Sequence, residues 1–348
     1  MSTDHNTDLF LSLTPEHILR AVEAAGLHTN PVCYPLNSFE NRVYEVELED
    51  RTRVVAKFYR PGRWSREQIL EEHLFTAQLQ ADEIPVCPVR PFPDGQTLHQ
   101  IDNIHYCIFE RRGGRAPDEL TEDLAERLGM LVGRMHAVGD RQDAPNRLRI
   151  TPDNYIRDHL AWFSLNQTIP PYFKDRYFSA ANEIADIADE RLEGVPTQRL
   201  HGDLHMGNLL LRDNVFNVLD FDDMVVGPAV QDIWLALPGR DQWADRLRAA
   251  FLDGYERFKP FPYKTINLIE PLRGMRMVHY AAWLARRWHD PIFPRTWPHF
   301  GTEDYWRQET EDLEDLLKHI QATSDNPRKP AQPEPELTNK DFFWDWEE

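Results

Sequence analysis

Hydrophobic and polar residues alternate along the segment NRVYEVELEDRTRVVAKFYRP, residues 41–61. The alternation breaks at Glu49, Asp50 and Arg51 and resumes at Val54. A period of two is typical of a half-buried strand, and a short polar break between two such runs is typical of a tight turn. The pattern therefore predicts two antiparallel strands. A further buried strand is predicted for IHYCIFE, residues 104–110, which is rich in β-branched and aromatic residues.

Helical patterns surround these strands and dominate the second half of the chain. Thr14 and Pro15 are typical of a helix start, and Ser65 can cap a second helix over residues 66–80. The segment LTEDLAERLGMLVGRMHAVG, residues 120–139, carries an apolar stripe at helical spacing. More helices are predicted at about 152–166, 174–190 and 228–319, with a small hairpin around residues 212–214 between the last two.

This order of elements predicts an α+β fold with two lobes. The β-rich N-terminal lobe is expected to span residues 1–110, and the larger, mainly helical C-terminal lobe residues 111–323, with a short connector at about 110–114. Residues 324–348 are expected to form a loosely ordered Pro-rich and acidic tail. Its aromatic end, DFFWDWEE, is open to two interpretations, docking on the body or remaining free.

Composition narrows the classes of protein. The chain has 348 residues, of which 41% are hydrophobic, and it lacks both an apolar run long enough for a membrane span and the basic start of a signal peptide. Its three cysteines are far apart, which favours free thiols and a cytoplasmic protein.

The net charge of −19 disfavours nucleic acid and anionic membrane as partners. ATP remains compatible, because a metal ion and local cations reverse the sign within one cleft. We expect a monomer.

The stretch LHGDLHMGNLLLRDNVFNVLDFDD, residues 200–223, holds the candidate chemistry. Asp203 and Asn208 are separated by four residues, and Asp220 follows at the end of a strand-like run. A loop followed by a hairpin can bring the three side chains together. Carboxylate and amide oxygens suit Mg²⁺ rather than zinc, and Mg²⁺ sites with few protein ligands normally include phosphates. The stretch therefore predicts a nucleotide enzyme.

Phosphoryl transfer also requires a carboxylate at the attacking hydroxyl and a cation on the nucleotide phosphates. Asp203 fits the first role, with Asn208 and Asp220 as metal ligands. Lys57, in the strand segment VVAKFY, is the candidate cation, and the following helix offers Glu71 and Glu72 as its partner.

Other interpretations of these residues are weaker. His201 and His205 have the spacing of zinc ligands on a helix, but the neighbouring glycines disfavour a helix and no glutamate follows His201. The chain contains no G-x-S-x-G, no Walker loop and no G-x-G-x-x-G. Lys57 alone would be interpreted as a surface lysine; only its combination with the later cluster raises its importance.

The segment HGDLHMGN, followed by VLDFDD, resembles the catalytic and metal-binding segments of the protein-kinase-like aminoglycoside and choline kinase superfamily. Several longer segments are similar to one branch of it, the bacterial stress response kinases: LNSFENRVYEVE, VVAKFYRPGRWS, ILEEHLF, GPAVQDIWLAL and RMVHYAAWLARRWHDPIFP. The resemblance covers residues 9–320. It implies a protein-kinase-like bilobal fold and an ATP- and Mg²⁺-dependent Ser/Thr protein kinase with protein substrates.

The resemblance also implies roles for individual residues. Asp203 is similar to the catalytic base, and Asn208 and Asp220 to the Mg²⁺ ligands. Lys57 corresponds to the lysine on the α- and β-phosphates. Glu72 is expected to be its helix partner, with Glu71 as the alternative.

The remaining matched positions have supporting roles. Ser38 and Asn41 are expected in the loop over the phosphates, whereas Phe109, Glu110 and Arg112 are expected in the hinge that contacts adenine. His201 is expected to brace the catalytic loop, and Asp232 to accept hydrogen bonds from loop amides. Asp222 is either a further group near the metal or a solvated acid, and we favour the latter.

Two departures from the protein-kinase pattern keep other functions open. The loop LNSFENRV contains no glycine, although glycine best allows close approach to phosphate. Only residues 221–227 separate Asp220 from PAVQD, so a long activation segment is absent. A kinase of aminoglycosides, amino alcohols or sugars is therefore an alternative, and an acidic surface would attract cationic substrates. A nucleotide-binding regulator without turnover is a second alternative.

Overall fold

The structure is a computed structural model that describes residues 9–10 and 12–324. Residues 325–348, which include almost all of the predicted tail and its DFFWDWEE end, lie outside the described residues. Within the described ranges, no helix is both long enough and apolar enough to cross a membrane.

The N-terminal part contains an antiparallel sheet. Its strands are β1 (Thr29–Pro35), β2 (Arg42–Leu48), β3 (Arg53–Phe58), β4 (Val89–Arg90), β5 (His99–Ile101) and β6 (Ile104–Glu110). Their order is β1-β2-β3-β6-β4, with β5 also paired to β6. The two strands and the turn predicted within residues 41–61 are confirmed, as is the buried strand β6. Because β3 is central, Lys57 lies opposite Val43 on one side and Cys107 on the other.

Three strands of this sheet, β1, β4 and β5, were not predicted. Strand β1 contains Pro31 and Pro35, which interrupt the alternation that marks a strand in sequence. Proline is tolerated there because β1 is at the edge of the sheet, where its missing N–H costs no ladder hydrogen bond. Strands β4 and β5 are two and three residues long, too short to show a period.

Helices form most of the rest. They are α1 (Pro15–Glu23), α2 (Arg66–Ala81), α3 (Glu122–Gly139), α4 (Asp158–Asn166), α5 (Pro171–Leu192), α6 (Val230–Ala236), α7 (Gln242–Tyr255), α8 (Ile269–Arg287), α9 (Ile292–Thr296) and α10 (Glu303–Ser324). The predicted caps are present: the Thr14 side chain accepts from the backbone of His17, and the Ser65 side chain from that of Gln68. The helix predicted at 152–166 begins with a π-helical turn, Asp153–Arg157, before α4.

Helix α2 packs against both the sheet and the helical lobe. Its residues Phe75 and Leu79 pack in the core of the helical lobe, whereas Ile69 packs with Val89 and Cys107 of the sheet. Because α2 is covered from both sides, a charged residue in its middle is removed from water. Glu72 occupies that position and is 2% exposed.

Two short antiparallel strand pairs organise residues 200–223, one at the ends of the stretch and one within it. Strand β7 (Gln198–Leu200) pairs with β10 (Val225–Gly227), and β8 (Leu209–Arg212) pairs with β9 (Val215–Val218). The β8–β9 hairpin confirms the one predicted around residues 212–214. Its turn residues Asp213 and Asn214 have φ of 51° and 60°, as a two-residue hairpin turn requires. The β7–β10 pair, which was not predicted, brings the loop after β7 next to the turn after β9.

Candidate active site

Lys57 and Glu72 form a buried ion pair between β3 and α2. The distance from Lys57 Nζ to Glu72 Oε1 is 3.4 Å, and both side chains are at most 5% exposed. Glu71, the alternative partner, faces away and accepts hydrogen bonds from the Asn146 side chain at 2.7 Å and the Arg147 backbone at 3.0 Å. The structure therefore pairs Lys57 with Glu72, and Glu71 ties α2 to the loop after α3.

Two further carboxylates, from the turn after β9, reach the same lysine. Lys57 Nζ lies 3.0 Å from Asp220 Oδ1 and 3.0 Å from Asp222 Oδ1. Burial alone would lower the pKa of Lys57, but its three carboxylate neighbours outweigh burial and hold the pKa well above its ordinary value. Lys57 is therefore a permanent cation in this site.

The expectation that Asp222 is a solvated acid is wrong. Its side chain is buried, pairs with Lys57 and Arg63, and accepts a hydrogen bond from Trp64 Nε1 at 3.4 Å. Burial acts to raise the pKa of this carboxyl, but the surrounding cations hold it far below its ordinary value. Asp220 differs, because its side chain is 55% exposed and therefore free to take additional ligands.

Asp232 and His201 shape the loop after β7. Asp232, fully buried at the start of α6, accepts hydrogen bonds from the backbone N–H groups of His201 at 2.9 Å and Gly202 at 2.8 Å. His201 Nε2 lies 2.7 Å from the Leu219 carbonyl, next to Asp220. Gly202 has φ of +86°, and a Cβ there would lie 2.1 Å from the Asp223 carbonyl. Both side chains thus brace the loop, in the positions expected for them.

Asp203 and Asn208 lie on the loop that these contacts hold. Asn208 Nδ2 donates to the Asp203 carbonyl at 2.9 Å, which closes the loop between the two residues. The Asp203 carboxylate points to helix α8, where Arg276 Nη2 donates to Oδ1 at 2.6 Å. His205 Nε2 lies 3.4 Å from its other oxygen, Oδ2.

These cationic neighbours set the protonation of Asp203. Burial alone would raise its pKa, but the hydrogen bond from His205 and the charge of Arg276 lower it to about 2. The same hydrogen bond raises the pKa of His205. At neutral pH Asp203 is therefore ionised, and it accepts hydrogen bonds rather than donating them.

The loop between β1 and β2 covers the cleft and is anchored on both sides. Ser38 Oγ donates to the Asn41 carbonyl at 3.0 Å, and the buried Asn41 Oδ1 accepts from the Arg60 backbone at 3.1 Å. Glu40, at the tip, accepts from Trp283 Nε1 at 2.6 Å and from Arg287 Nη2 at 2.9 Å, both in α8. Internal hydrogen bonds and an anchor on the helical lobe thus fix this loop without glycine.

The expected hinge residues follow the end of the central sheet. Phe109 and Glu110 close β6, opposite Val55 and Val54 of β3. The Arg112 guanidinium lies 4.0 Å from Glu110 Oε2 in the connector. Backbone hydrogen bonds between Arg115 and Leu211 then join this connector to β8, at 2.7 and 3.3 Å.

All of these parts line one cleft of about 990 Å³ between the sheet and the helical lobe. The residues expected to act on the nucleotide and metal contribute to it: Ser38, Asn41, Lys57, Glu72, Phe109, Glu110, Arg112, Asp203, Asn208 and Asp220. The volume is in the range of cofactor and small-ligand pockets. His201 and Asp232 lie behind the cleft wall, as their bracing contacts imply.

The donor set fits a hard divalent cation. The Asp220 carboxylate is exposed to the cleft, and Asn208, whose amide nitrogen is occupied, presents its carbonyl oxygen as an acceptor. Among residues 9–10 and 12–324, no three His, Cys, Asp or Glu side chains converge as a metal site by themselves. A cation at Asn208 and Asp220 would therefore take further oxygen ligands, as Mg²⁺ does from nucleotide phosphates.

Sequence reasoning missed two groups of this site. Arg276 contacts Asp203 from α8, and Arg63 pairs with Asp222 from the segment after β3. A signal for Arg276 exists in sequence, because residues 276, 279, 283 and 286 recur at helical spacing and are polar or aromatic rather than aliphatic. No local pattern marks Arg63.

Comparison with known proteins agrees with this architecture. The model of the phosphotransferase enzyme family, APH, matches residues 33–265. The chain is 41% identical over 314 residues to stress response kinase A of Escherichia coli (strain K12), which covers 90% of this chain and 95% of that protein. It is also 41% identical over 307 residues to the Salmonella typhimurium protein named serine/threonine protein kinase RdoA, covering 88% and 93% respectively.

Solved structures show the same fold at lower identity. Amicoumacin kinase hAmiN in complex with AMP-PNP, Ca²⁺ and Ami superposes with a TM-score of 0.67 at 22% identity, covering 88% of this chain and 93% of that one. The microcompartment-associated aminopropanol kinase gives a TM-score of 0.67 at 21% identity, covering 89% and 98%. The predicted protein-kinase-like α+β fold and the resemblance to the stress response kinases are thus confirmed. The chain belongs to the phosphotransferase enzyme family and is a kinase of that family.

Proposed function

We propose that this chain is an ATP- and Mg²⁺-dependent Ser/Thr protein kinase of the bacterial cytoplasm that acts in stress response. The observation that supports it most strongly is the arrangement of one cleft. The Lys57–Glu72 pair and Asp220 face the Asp203–Asn208 loop across it. Protein as the acceptor is supported by the name of a relative at 41% identity, serine/threonine protein kinase RdoA.

The nucleotide is proposed to lie between the sheet and the loop after β9. Lys57, kept charged by its carboxylate neighbours, would neutralise the α- and β-phosphates. Glu72 holds the lysine in place from α2, and the backbone of residues 109–112 would contact the adenine. Ser38 and Asn41 would act by holding the glycine-free loop in shape above the phosphates.

Asn208 and Asp220 would hold Mg²⁺. The ion would supply charge neutralisation on the β- and γ-phosphates. Asp220 is suited to this role because its carboxylate is the exposed one of the three around Lys57, whereas Glu72 and Asp222 are buried and paired.

Asp203 is proposed to orient the acceptor hydroxyl. With a pKa of about 2 it is a weak base in the ground state, so its main effect is to accept the hydroxyl hydrogen bond and direct the oxygen at the phosphorus. A carboxylate takes the proton late, as the bond to phosphorus forms and the hydroxyl becomes acidic.

A small-molecule kinase is the second candidate, and one observation favours it. After Asp220 the chain enters β10 at Val225 and α6 at Val230, so no extended activation segment lies beside the acceptor site. In protein kinases such a segment helps to bind the substrate peptide. Solved relatives with this fold include an aminopropanol kinase, which is a kinase of a small amino alcohol by its name.

The experiment that separates the two candidates uses ATP labelled at the γ-phosphate, with Mg²⁺. One reaction contains a generic protein mixture and the other a panel of amino alcohols, aminoglycosides and sugars. Label on serine or threonine of protein, lost in Asp203→Asn, supports the protein kinase. Robust turnover of one metabolite without protein labelling would contradict it and support the second candidate. ATP binding without transfer to any acceptor would instead indicate a regulator.

A further inference from the structure

Helix α8 presents a polar and aromatic face to the cleft. Arg276, His279, Tyr280, Trp283, Arg286 and Arg287 all line it and recur at intervals of three and four residues, so they form one stripe on the helix. The opposite face carries the buried apolar residues of α8, including Met275, Val278 and Ala282. The stripe begins at Asp203 and ends at the Glu40 loop, through the contacts of Arg276 and Arg287.

A chain of hydrogen bonds fixes the proton positions within this stripe. Arg286 Nη2 lies 3.1 Å from His159 Nδ1, and His159 Nε2 lies 2.9 Å from His279 Nδ1. An arginine can only donate, so His159 Nδ1 accepts and its Nε2–H donates to His279 Nδ1. His279 therefore carries its own proton on Nε2. That N–H has no hydrogen-bond partner among the described residues, and His279 lines the cleft.

Burial keeps both imidazoles neutral, which agrees with the proton positions given by these hydrogen bonds. It lowers the pKa of His159 to about 4, with Arg286 adding to the effect, and the pKa of His279 to about 3, with His159 adding to it. The ring of His279 is also stacked on Tyr155, with centroids 4.7 Å apart. His279 thus offers an oriented N–H donor that does not depend on its own protonation near neutral pH.

Arg286 supplies a positive charge at the other end of this hydrogen-bond chain, on the same stripe of α8. Arg276 is paired with Asp203, and Arg287 with Glu40. Within residues 12–324, no carboxylate forms an ion pair with Arg286, although Asp158 lines the same cleft. The Arg286 guanidinium instead lies over the Trp162 ring, 5.1 Å from its centroid, which holds it in position.

The length of the stripe favours a peptide over a small molecule. Arg276 and Arg286 are ten residues apart, and a helix rises about 1.5 Å per residue, so the stripe is about 15 Å long. An extended peptide covers that distance with about four to five residues. A hydroxyl at Asp203 would then leave neighbouring side chains of the same peptide facing His279 and Arg286.

We propose that this α8 stripe binds the protein acceptor and selects a serine or threonine with a carboxylate or phosphate within about four residues of it. This inference rests on the proposed function and names the class of its substrate. The overall charge of −19 does not prevent it, because charges beyond about 8 Å are screened at physiological salt, whereas Arg286 acts at contact.

The first test measures kcat/KM with ATP, Mg²⁺ and peptides that share one central serine. The peptides differ only in whether the flanking positions carry Asp, phosphoserine, Asn or Lys. We expect the acidic peptides to exceed the Asn peptide and the Lys peptide to be poorest. Comparison of Asp with phosphoserine shows which anion the stripe prefers. Equal rates for all flanks, or preference for Lys, would overturn the inference while leaving the kinase intact.

Variants assign the preference to the stripe. Arg286→Gln should reduce the Asp-over-Asn ratio about tenfold or more, the effect of one charge-assisted hydrogen bond, and Arg286→Lys should retain part of it. Arg295→Gln is the matched control, since Arg295 is exposed and does not line the cleft. A ratio that Arg286→Gln leaves unchanged would contradict the assignment.

A binding measurement is independent of phosphate transfer. The chain labelled with ¹⁵N-histidine is saturated with ADP and Mg²⁺ and then titrated with O-phosphoserine. The His279 imidazole signals should shift in the wild type and not in Arg286→Gln. No shift in the wild type would overturn the anion site. If O-phosphoserine shifts the His279 signals but the protein phosphorylates no peptide, the anion site is supported and protein is rejected as the acceptor.

Discussion

Arg276 donates a hydrogen bond of 2.6 Å to Asp203, and so joins helix α8 directly to the candidate catalytic carboxylate. The hydrogen bond from His205 and the charge of Arg276 outweigh burial and lower the pKa of Asp203 to about 2. Helix α8 therefore influences the charge state and the orientation of the carboxylate that we propose meets the acceptor hydroxyl. The protonation of Asp203 can therefore be tested by replacing Arg276, without replacing Asp203 itself.

Replacing Arg276 should change the pH dependence of Asp203. Arg276→Gln removes a positive charge, so the pKa of Asp203 rises from about 2 toward its ordinary value. In the wild type, the stability that Asp203 contributes is complete above about pH 4 and is lost as the pH falls toward 2. The variant should lose part of it. Thermal unfolding between pH 2 and 7 measures this, and identical curves for both proteins would contradict the pairing.

The two adjacent glutamates of α2 give a matched pair of variants. Glu72→Gln removes a charge that holds Lys57, so we expect kcat/KM for ATP to fall by about tenfold or more. Glu71→Gln removes the same charge one residue away, where the side chain contacts only the loop at Asn146 and Arg147. It should leave ATP kinetics near wild type. Equal losses in both would mean that the Lys57–Glu72 pair has no special role.

Asp220→Asn should abolish the dependence of nucleotide affinity on Mg²⁺. The substitution keeps the shape of the side chain but removes the exposed charge that fits the cation. Isothermal titration with ATP, with and without Mg²⁺, measures the effect. Asp213→Asn, in the exposed β8–β9 turn, is the control. An Asp220 variant whose affinity still rises with Mg²⁺ as in the wild type would reject Asp220 as a ligand.

The Glu40 anchor should control how long nucleotide stays bound. Glu40→Gln weakens the contacts with Arg287 and Trp283, so the loop separates more easily from α8. We expect faster ADP release in stopped-flow measurements and a loss of stability of about 1–3 kcal/mol. Glu47→Gln, on the outer end of β2 beside Arg51, is the control. Unchanged ADP release would show that the loop does not retain the nucleotide.

The candidate site residues between positions 200 and 223 could be found from sequence, because the loop after β7 and the β8–β9 hairpin lie within one short segment. Lys57 could be found because a lysine within an apolar strand is unusual. Asp222 could not be interpreted correctly, since its partner Arg63 is 159 residues away and nothing near Asp222 signals its burial. Arg276 lies on a polar and aromatic stripe that is visible in the sequence, but its partner Asp203 is 73 residues away. A local period can mark such a side chain without showing which distant residue it contacts.

The glycine-free loop shows a different limit. From sequence it kept functions other than a protein kinase open, because only the missing glycines were visible. In the structure, the loop is held by the hydrogen bond from the Arg60 backbone to Asn41 and by the contact of Glu40 with Arg287 of α8. Such anchors replace backbone flexibility with fixed contacts, and they join segments that are far apart in the chain. The segment containing α8 was recognised as similar to one branch of kinases without its contacts being foreseen.

We propose that Asp203 directs phosphate transfer from ATP to a hydroxyl of a protein. The most direct measurement compares the wild type and Asp203→Asn in labelling of serine and threonine from γ-labelled ATP, with nucleotide affinity measured on the same samples. We expect the variant to bind ATP and Mg²⁺ as the wild type does, and its labelling to fall by about 10²–10⁴-fold. Equal labelling by both proteins, or loss of ATP binding in the variant, would contradict it.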